Sequence, residues 1–272
     1  MVRTVKIGQS AAAPFCAFGD DSQYDGVLSY GFVIVKRMDV PRLLRRLLLV
    51  KEKFKIPAGV PIHCKVLMHG SEREKAGLAH LNASAARAVI GHVVHEIERV
   101  GCMVRYAVSA MPQPAQPMPS QVAGALPLNL PHEPKGILGV LAQACFAVAP
   151  DGSQGPLPAD CEIVIAEDRT QVKFGSVKRS QAHYLASGFS DIAAAPGEVF
   201  RIEPRIATTT EEPLLQIADI VAYASSHSRS ADPAHAFFTE QLNRISRRVW
   251  SEPEFNLGPL DWHAAIPSVV AP

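Results

Sequence analysis

The chain has 272 residues, of which 47% are hydrophobic and 19% are charged, and its formal net charge at pH 7 is +1. These proportions are typical of a globular protein that buries a sizeable core. The near-neutral charge argues against a bulk electrostatic attraction to nucleic acid or to an acidic membrane, and leaves only a local basic patch as a charged contact surface.

The five cysteines are far apart and form no C-x-x-C pair. This pattern argues against a disulfide framework or a zinc ribbon and predicts buried thiols in a reducing, cytoplasmic compartment. The sequence contains no run of about 18 apolar residues, which a membrane-spanning helix would need, so no membrane partner is expected. Near the N-terminus, Gln, Ser and Pro interrupt the sequence before a continuous apolar stretch forms, so the sequence does not predict a cleaved signal peptide.

The first elements in chain order predict a hairpin followed by helices. The runs "APFCAF" and "VLSYGFVIV" have a connection that contains Asp and Gly, which predicts two antiparallel strands. Next, "DVPRLLRRLLLVKEKFK" has leucines at helical spacing after an Asp cap and an early proline, which predicts an amphipathic helix with a basic outer face. A short strand ("GVPIHCKVLM"), a long helix over 71–100 and a strand ("CMVRYAVSA") follow.

Residues 111–134 contain seven prolines and predict a surface insertion or lid. After them the pattern alternates. It predicts a helix over 134–149, a strand ("CEIVIAED"), a helix ("QVKFGSVKRSQAHYLAS"), a strand ("VFRIEPRI") and a helix ("PLLQIADIVAYASSH"). Strands that alternate with helices indicate a parallel sheet covered by helices. We therefore expect one α/β domain over residues 1–272, with an antiparallel hairpin leading into parallel βα units.

Three aspartates lie in or next to apolar segments, where a charged carboxylate is unexpected. Asp168 ends a strand of the buried type, and the carboxyl ends of parallel strands form the ligand crevice of open α/β sheets. The alternative is that Asp168 caps the next helix together with Gln171.

Asp219 lies on a nearly apolar helix, which directs it into one narrow sector with Gln216 and Tyr223. A carboxylate there is costly unless it faces water, a partner or a metal. The alternative is an exposed polar strip on a half-buried helix.

Asp20 and Asp21 follow the first apolar run, where they are either small polar residues of a turn or carboxylates borne by the strand. If Asp20 is strand-borne, it can converge with Asp168 and Asp219 on one cleft. Their repulsion would be relieved by Mg²⁺ or Mn²⁺, hard cations that prefer oxygen ligands. Two ions about 4 Å apart can activate a water and stabilise a leaving oxygen, so the cluster is of a phosphodiesterase type.

Three motifs together resemble a known family. "FGDDSQ" is similar to a hydrophobic-D-E-S-G opening, "PIHCKVL" to an E-I-H element, and "PLLQIADIVAY" to an L-Q-x-A-D-hydrophobic signature. In this order, from about Phe15 to Ser228, they resemble the bacterial family called domain of unknown function 3800, which is regarded as ribonuclease H-like. The last motif is the most specific.

The resemblance implies a ribonuclease H-like mixed sheet flanked by helices, and a set of site residues. The positions that match the family's motifs are Asp20, Asp21 (at the family's glutamate), Ser22, His63, Asp168, Gln216 and Asp219. Of these, Asp20, Asp168 and Asp219 would hold the metal, while Asp21 and His63 would assist the water or the scissile phosphate. Without the resemblance, a lone histidine beside a strand is more often structural than functional.

Two positions depart from the family's pattern. Pro61 stands where the E-I-H element carries its glutamate, and Gln23 replaces the glycine after the serine. One carboxylate of the family's set is therefore missing. Asp21, Glu167 or Glu72 would have to replace it for two ions to be held, and the alternative is a single-metal or inactive site.

The sequence thus predicts a cytoplasmic, metal-dependent nuclease or related phosphodiesterase. The sequence contains neither a Gly-rich phosphate loop nor a G-x-S-x-G elbow, which argues against a nucleotide triphosphatase and a serine hydrolase. Basic clusters could contact phosphates or could be solvated helix faces; they comprise Arg42, Arg45, Arg46, Lys173, Lys178 and Arg179. The alternative function is a catalytically silent protein that binds nucleic acid or a partner, as in phage defence or mobile elements.

Overall fold

The computed structural model describes residues 3–7, 12–110, 141, 145, 161–167, 171–174, 177–180, 192–195, 198–202, 204–230 and 232–246. The proline-rich segment 111–134 and Asp168 lie outside these residues. So does the predicted helix over 134–149, apart from Leu141 and Cys145.

The described strands and helices are numbered in chain order. The strands are β1 (Arg3–Ile7), β2 (Phe15–Tyr24), β3 (Val27–Lys36), β4 (Met103–Ala110), β5 (Cys161–Ala166), β6 (Gln171–Phe174), β7 (Val177–Ser180), β8 (Ile192–Ala195), β9 (Glu198–Ile202) and β10 (Arg205–Ala207). The α-helices are α1 (Val40–Lys53), α2 (Cys64–Met68), α3 (Gly70–Lys75), α4 (Ala83–Val100), α5 (Leu215–His227) and α6 (Ala236–Ser246).

The main sheet is open and mixed, with the strand order β10-β5-β2-β3-β4. Strands β2, β3 and β4 pair antiparallel, whereas β5 pairs parallel with β2, and β10 pairs parallel with β5. The predicted mixed α/β class, with a hairpin leading into parallel strands, is confirmed. The predicted α1, β4 and β5 are confirmed as elements as well.

The turn of the hairpin lies at Asp25 and Gly26, whose φ angles are 47° and 72°. Positive φ at both central residues is the geometry of a two-residue hairpin turn, and Asp-Gly is a favoured pair for it. Because the turn comes this late, Asp20 and Asp21 pair within the ladder, opposite Gly31 and Tyr30. Both aspartates are therefore strand residues, and the interpretation of them as turn residues is wrong.

The main sheet is covered on both faces. Helices α1, α4, α5 and α6 contribute to one core cluster with one face of the sheet; its members include Phe18, Val33, Val164, Leu47, Val89, Ile220 and Phe238. The other face carries a second cluster, which includes Leu28, Phe32, Ile163, Ile165 and Leu141. Alternate residues of each strand enter opposite clusters, as expected for a sheet buried on both sides.

Helix α5 lies directly on β2 and β3, and all of its residues are buried. A Cβ atom at Gly31 would come within 2.8 Å of the backbone nitrogen of Ala222, so the close approach requires a glycine there. The Ser29 hydroxyl donates to the Ala222 carbonyl at 2.7 Å and fixes the helix in place. This contact brings the side chains of α5 close to those of β2.

The strand predicted over "GVPIHCKVLM" is wrong, since the chain is irregular up to His63 and then forms α2. The backbone N–H groups of Ile62 and Cys64 donate to side chains of α5 rather than to a neighbouring strand. The strand-like alternation of apolar residues arises because Ile62 and Cys64 are both buried against that helix.

The helix predicted over 71–100 is two helices. α3 ends before Gly77, whose φ is 73°, and α4 starts behind Asn82, whose side chain accepts the Ala85 N–H at 2.8 Å. A left-handed glycine ends a helix and an asparagine cap begins one, so the break has a local cause.

Two predictions in the second half are also wrong. In the segment predicted as a helix over 171–187, residues 171–174 and 177–180 form the hairpin β6–β7, which agrees with their valines, while residues 181–187 lie outside the described part of the chain. The strand predicted as "VFRIEPRI" is split at Pro204, which lacks an N–H group for a ladder. Its first half, β9, pairs with β1 and β8 in a three-stranded sheet that was not predicted.

In the part of the chain that the structure describes, no helix is long and apolar enough to span a membrane.

Candidate functional site

Strand β2 presents Asp20 on the face that α5 covers. Residues 16 and 18 enter the cluster on that face, and farther along the strand the Ser22 hydroxyl lies 3.1 Å from the Ser226 hydroxyl of α5. Because strand residues alternate, Asp20 shares this face with Ser22. Asp21 points to the other face with Tyr30, a member of the second cluster. The structure therefore separates two aspartates that are adjacent in the sequence.

Asp219 is buried on α5, with an exposed fraction of 6%. Its Oδ2 atom accepts the Cys64 N–H at 2.7 Å, and its Oδ1 atom lies 3.1 Å from Nδ1 of His63. The interpretation of Asp219 as part of an exposed polar strip is wrong. The expectation that a carboxylate on this helix needs a partner is met by a half-exposed imidazole and a backbone donor.

The segment that carries His63 is held from two sides. Gln216, one turn before Asp219, accepts the Ile62 N–H on its Oε1 atom at 2.7 Å. On the opposite side, the buried Lys51 donates to the carbonyls of Ala58 and Val60 at 3.0 and 2.9 Å. These bonds satisfy polar groups that would be costly to bury alone, and they fix the path of the chain into His63.

The electrostatics of this region are dominated by burial. Burial raises the pKa of Asp219 above its ordinary value, although the nearby His63 and the hydrogen bonds from Cys64 act in the opposite direction. Burial also raises the pKa of the Cys64 thiol far above its usual range, and the carboxylates of Asp219 and Asp20 raise it further. The thiol is thus a neutral donor, and both carboxylates act on the same point of the structure.

A stack of rings lies next to these residues and was not predicted. The ring of His227 lies between those of Tyr24 and Tyr223, with centroid distances of 3.8 and 3.6 Å. The Tyr24 hydroxyl reaches Nε2 of His235 at 3.3 Å. Burial lowers the pKa of His227 to about 4, so its ring is neutral at pH 7. Asp219, Tyr223 and His227 are four residues apart and therefore lie on one face of the helix, which is the only part of the stack that the sequence indicates. The contacts of the stack to β2 join distant segments and have no local sequence signal.

None of the three carboxylates considered as replacements for the missing family glutamate is among the groups that shift the pKa of Asp219. Asp21 is on the opposite face of the sheet, Glu72 pairs with Lys75 at 2.6 Å, and Glu167 is exposed just after β5. Asp168 follows Glu167 and lies outside the described residues. Within the described ranges, the structure brings Asp20, His63 and Asp219 to one region, and no group of three or more His, Cys, Asp or Glu side chains could hold a metal ion there.

No match is found for this chain among family models, curated proteins or solved structures. Its function therefore has to be argued from the residues themselves.

The oxygens of Asp219 and Asp20 are the candidate metal ligands among the described residues. A carboxylate offers about four lone-pair sites. Three of them are used, by Nδ1 of His63, the backbone N–H of Cys64 and the thiol of Cys64. The remaining site and the carboxylate of Asp20 are oxygen donors of the type that Mg²⁺ and Mn²⁺ prefer. These oxygens are chemically suited to a hard divalent ion, but among the described residues they are too few to form a metal site by themselves.

Proposed function

We propose that the protein hydrolyses phosphodiester bonds in nucleic acid, with a site formed by Asp20, His63 and Asp219. The observation that carries this proposal is the pair of Asp219 and His63, a buried carboxylate with a raised pKa 3.1 Å from a half-exposed imidazole. Perturbed carboxylates paired with histidine are typical of catalytic sites. The pair adjoins the strand face that carries a second carboxylate, Asp20.

The pair suits proton transfer. A carboxylate accepts hydrogen bonds, so Nδ1 of His63 carries its proton toward Asp219 and Nε2 keeps a lone pair. Nε2 would take a proton from the attacking water as the new oxygen–phosphorus bond forms. The same proton then passes to the leaving oxygen as its bond to phosphorus breaks, and Asp219 stabilises the intervening imidazolium.

A divalent ion belongs to the proposal. Asp20 and Asp219 would hold Mg²⁺ or Mn²⁺, with Asp168 completing the predicted set. The ion would supply Lewis-acid stabilisation of the negative charge on the phosphate oxygens. Support for a ribonuclease H-like fold comes from the main sheet, in which an antiparallel hairpin leads into parallel strands as that plan requires. The resemblance to the domain of unknown function 3800 adds the same expectation.

The test is cleavage by the Asp219→Asn variant. Asparagine keeps an oxygen that can accept the Cys64 N–H, so we expect a folded protein with unchanged circular dichroism. We expect Mn²⁺- or Mg²⁺-dependent cleavage of DNA, RNA or hybrid substrates to fall by about 10²-fold or more, because proton transfer at His63 loses its partner. Glu240→Gln, which removes an exposed carboxylate from α6, is the charge-matched control. Cleavage retained in folded Asp219→Asn would remove this residue from the mechanism.

A second function is favoured by one observation, namely that Gln216 and Asp219 both bond the backbone around His63 and so serve the fold. Together with Pro61 in place of the family's glutamate, this supports a silent protein that binds nucleic acid or a partner. Binding of oligonucleotides that weakens with salt, without any product across Mg²⁺ and Mn²⁺ concentrations, would support it. Measurable product would exclude it.

A further inference from the structure

Two side chains of α5 hold the backbone on both sides of His63. Gln216 and Asp219 are three positions apart and therefore lie on one face of the helix. They accept the N–H groups of Ile62 and Cys64, both at 2.7 Å, and these two residues flank His63. His63 itself has an extended backbone, with φ −126° and ψ 123°. The spacing of the acceptors on the helix matches the spacing of the donors on the extended segment.

The bond from Ile62 cannot be replaced by one to water, because Ile62 is only 1% exposed. Losing the Gln216 acceptor would leave a buried N–H group without a partner, which favours a shift of the segment toward solvent. His63 is the next residue and its side chain is half exposed; its other backbone restraints lie on the Cys64 side, where the Cys64 N–H bonds Asp219 and the Leu67 N–H bonds the His63 carbonyl at 2.9 Å. A shift at Ile62 would therefore be transmitted directly to the contact between Nδ1 of His63 and Asp219.

We propose that Gln216 is a positioning residue for His63. By holding Ile62, it keeps Nδ1 of His63 on Asp219 and directs Nε2 toward the open side, where a proton can be exchanged. The role in proton transfer rests on the proposed function, whereas the positioning does not.

The test uses three variants and one spectroscopic signature. Gln216→Met keeps a similar length without the acceptor, and Gln216→Glu keeps an acceptor oxygen. The control is Gln241→Met, which removes another buried glutamine, one that bonds Arg244 on α6. The long-range proton–nitrogen spectrum of the imidazoles is recorded at about pH 9, where histidine in model peptides is neutral. The His63 signal is assigned from its absence in His63→Asn.

We expect the Nδ1–H tautomer at His63 in the wild type, in Gln216→Glu and in Gln241→Met, and a larger share of the Nε2–H tautomer in Gln216→Met. With a cleavable substrate, kcat of Gln216→Met should fall by about 10-fold or more with KM unchanged, because a small misplacement lowers catalysis without removing binding. An unchanged tautomer in Gln216→Met, or the Nε2–H tautomer in the wild type, would overturn the proposal.

The two proposals fail separately. If the tautomer changes as expected but the wild type cleaves no substrate, the positioning stands and the proposed function falls. If the wild type cleaves and Gln216→Met matches it in tautomer and kcat, the positioning falls alone. Should Gln216→Met not fold, Gln216→Asn replaces it, since its amide is one methylene too short to reach Ile62 in the same geometry.

Discussion

The two ends of the sheet around β2 hold their carboxylates in different ways. Near the start of β2, Glu162 bonds two arginines, Arg37 at 2.5 Å and Arg205 at 3.3 Å. Toward the end of β2, Asp219 accepts hydrogen bonds from the backbone N–H and the thiol of Cys64, and its Oδ1 atom lies 3.1 Å from Nδ1 of His63. Both side chains are largely buried.

The difference distinguishes a carboxylate held in fixed ion pairs from one whose charge can change. Guanidinium groups are always charged, so Glu162 is held as a fixed ion pair that joins β5, β10 and the end of the hairpin. Asp219 has partners that are neutral or titratable, and burial raises its pKa. Such a group can change its charge within the folded protein, which is the property that catalysis uses. The carboxyl ends of β2 and β5 are also where open α/β sheets form their ligand sites.

The strongest effect on the folded protein is expected from Gly31→Ala, which acts at the end of the sheet that carries the site. The added methyl group would meet Ala222 backbone nitrogen at 2.8 Å and Val221 Cγ1 at 2.9 Å, so α5 must move away from β3. We expect a loss of about 1–3 kcal/mol in the free energy of unfolding, measured by urea denaturation, and a weaker site because Asp219 moves with the helix. Unchanged stability would show that α5 does not lie against the sheet as described.

A smaller effect is expected from Glu162→Gln at the opposite end. The variant turns charged hydrogen bonds into neutral ones, but Arg37 and Arg205 are 35% and 43% exposed and can be solvated instead. We therefore expect a loss of about 1 kcal/mol in the free energy of unfolding, and unchanged cleavage and metal binding. Lost activity in a folded Glu162→Gln protein would contradict the separation of the two ends.

The smallest effect is a pH dependence. The folded-state pKa of Asp219 is raised above the ordinary value of 3.8, so the folded protein retains the proton over a range where the unfolded chain has lost it. Relative to Asp219→Asn, the wild type should therefore lose stability as the pH rises from about 4 through the raised pKa. Urea denaturation of both proteins between about pH 4 and 8 measures this difference. If the free energy of unfolding of the wild type instead rises relative to that of Asp219→Asn as the pH increases, the partners of Asp219 lower its pKa.

Parts of the site could be predicted because they depend on local pattern. The apolar sequence around Asp219 indicates a buried helix. A lone carboxylate on such a helix points to a site, because burying its charge is costly unless it has a partner. The Asp-Gly pair at residues 25 and 26 is a hairpin signal that places Asp20 within the strand and on the opposite face from Asp21. The dipeptide does not tell which of the two aspartates faces α5, because Cys16, Ala17 and Phe18 make both faces of the strand apolar.

Other parts could not be predicted because they depend on contacts between distant segments. The residues around His63 alternate like a strand, and only the bonds to Gln216 and Asp219 explain why they form none. The stacking of Tyr24 on His227 joins β2 to α5 across most of the chain. Periodicity reports which residues are buried, but it does not report which segment buries them.

The most direct test of the site is calorimetric titration of Mn²⁺ and Mg²⁺ into the wild type, Asp20→Asn and Asp21→Asn. The two variants remove adjacent carboxylates from opposite faces of one strand, so each is the control for the other. We expect binding in the wild type and in Asp21→Asn, and its loss in Asp20→Asn, because only Asp20 shares a face with Asp219. Equal binding in all three proteins, or loss in Asp21→Asn alone, would contradict a metal site on the α5 face.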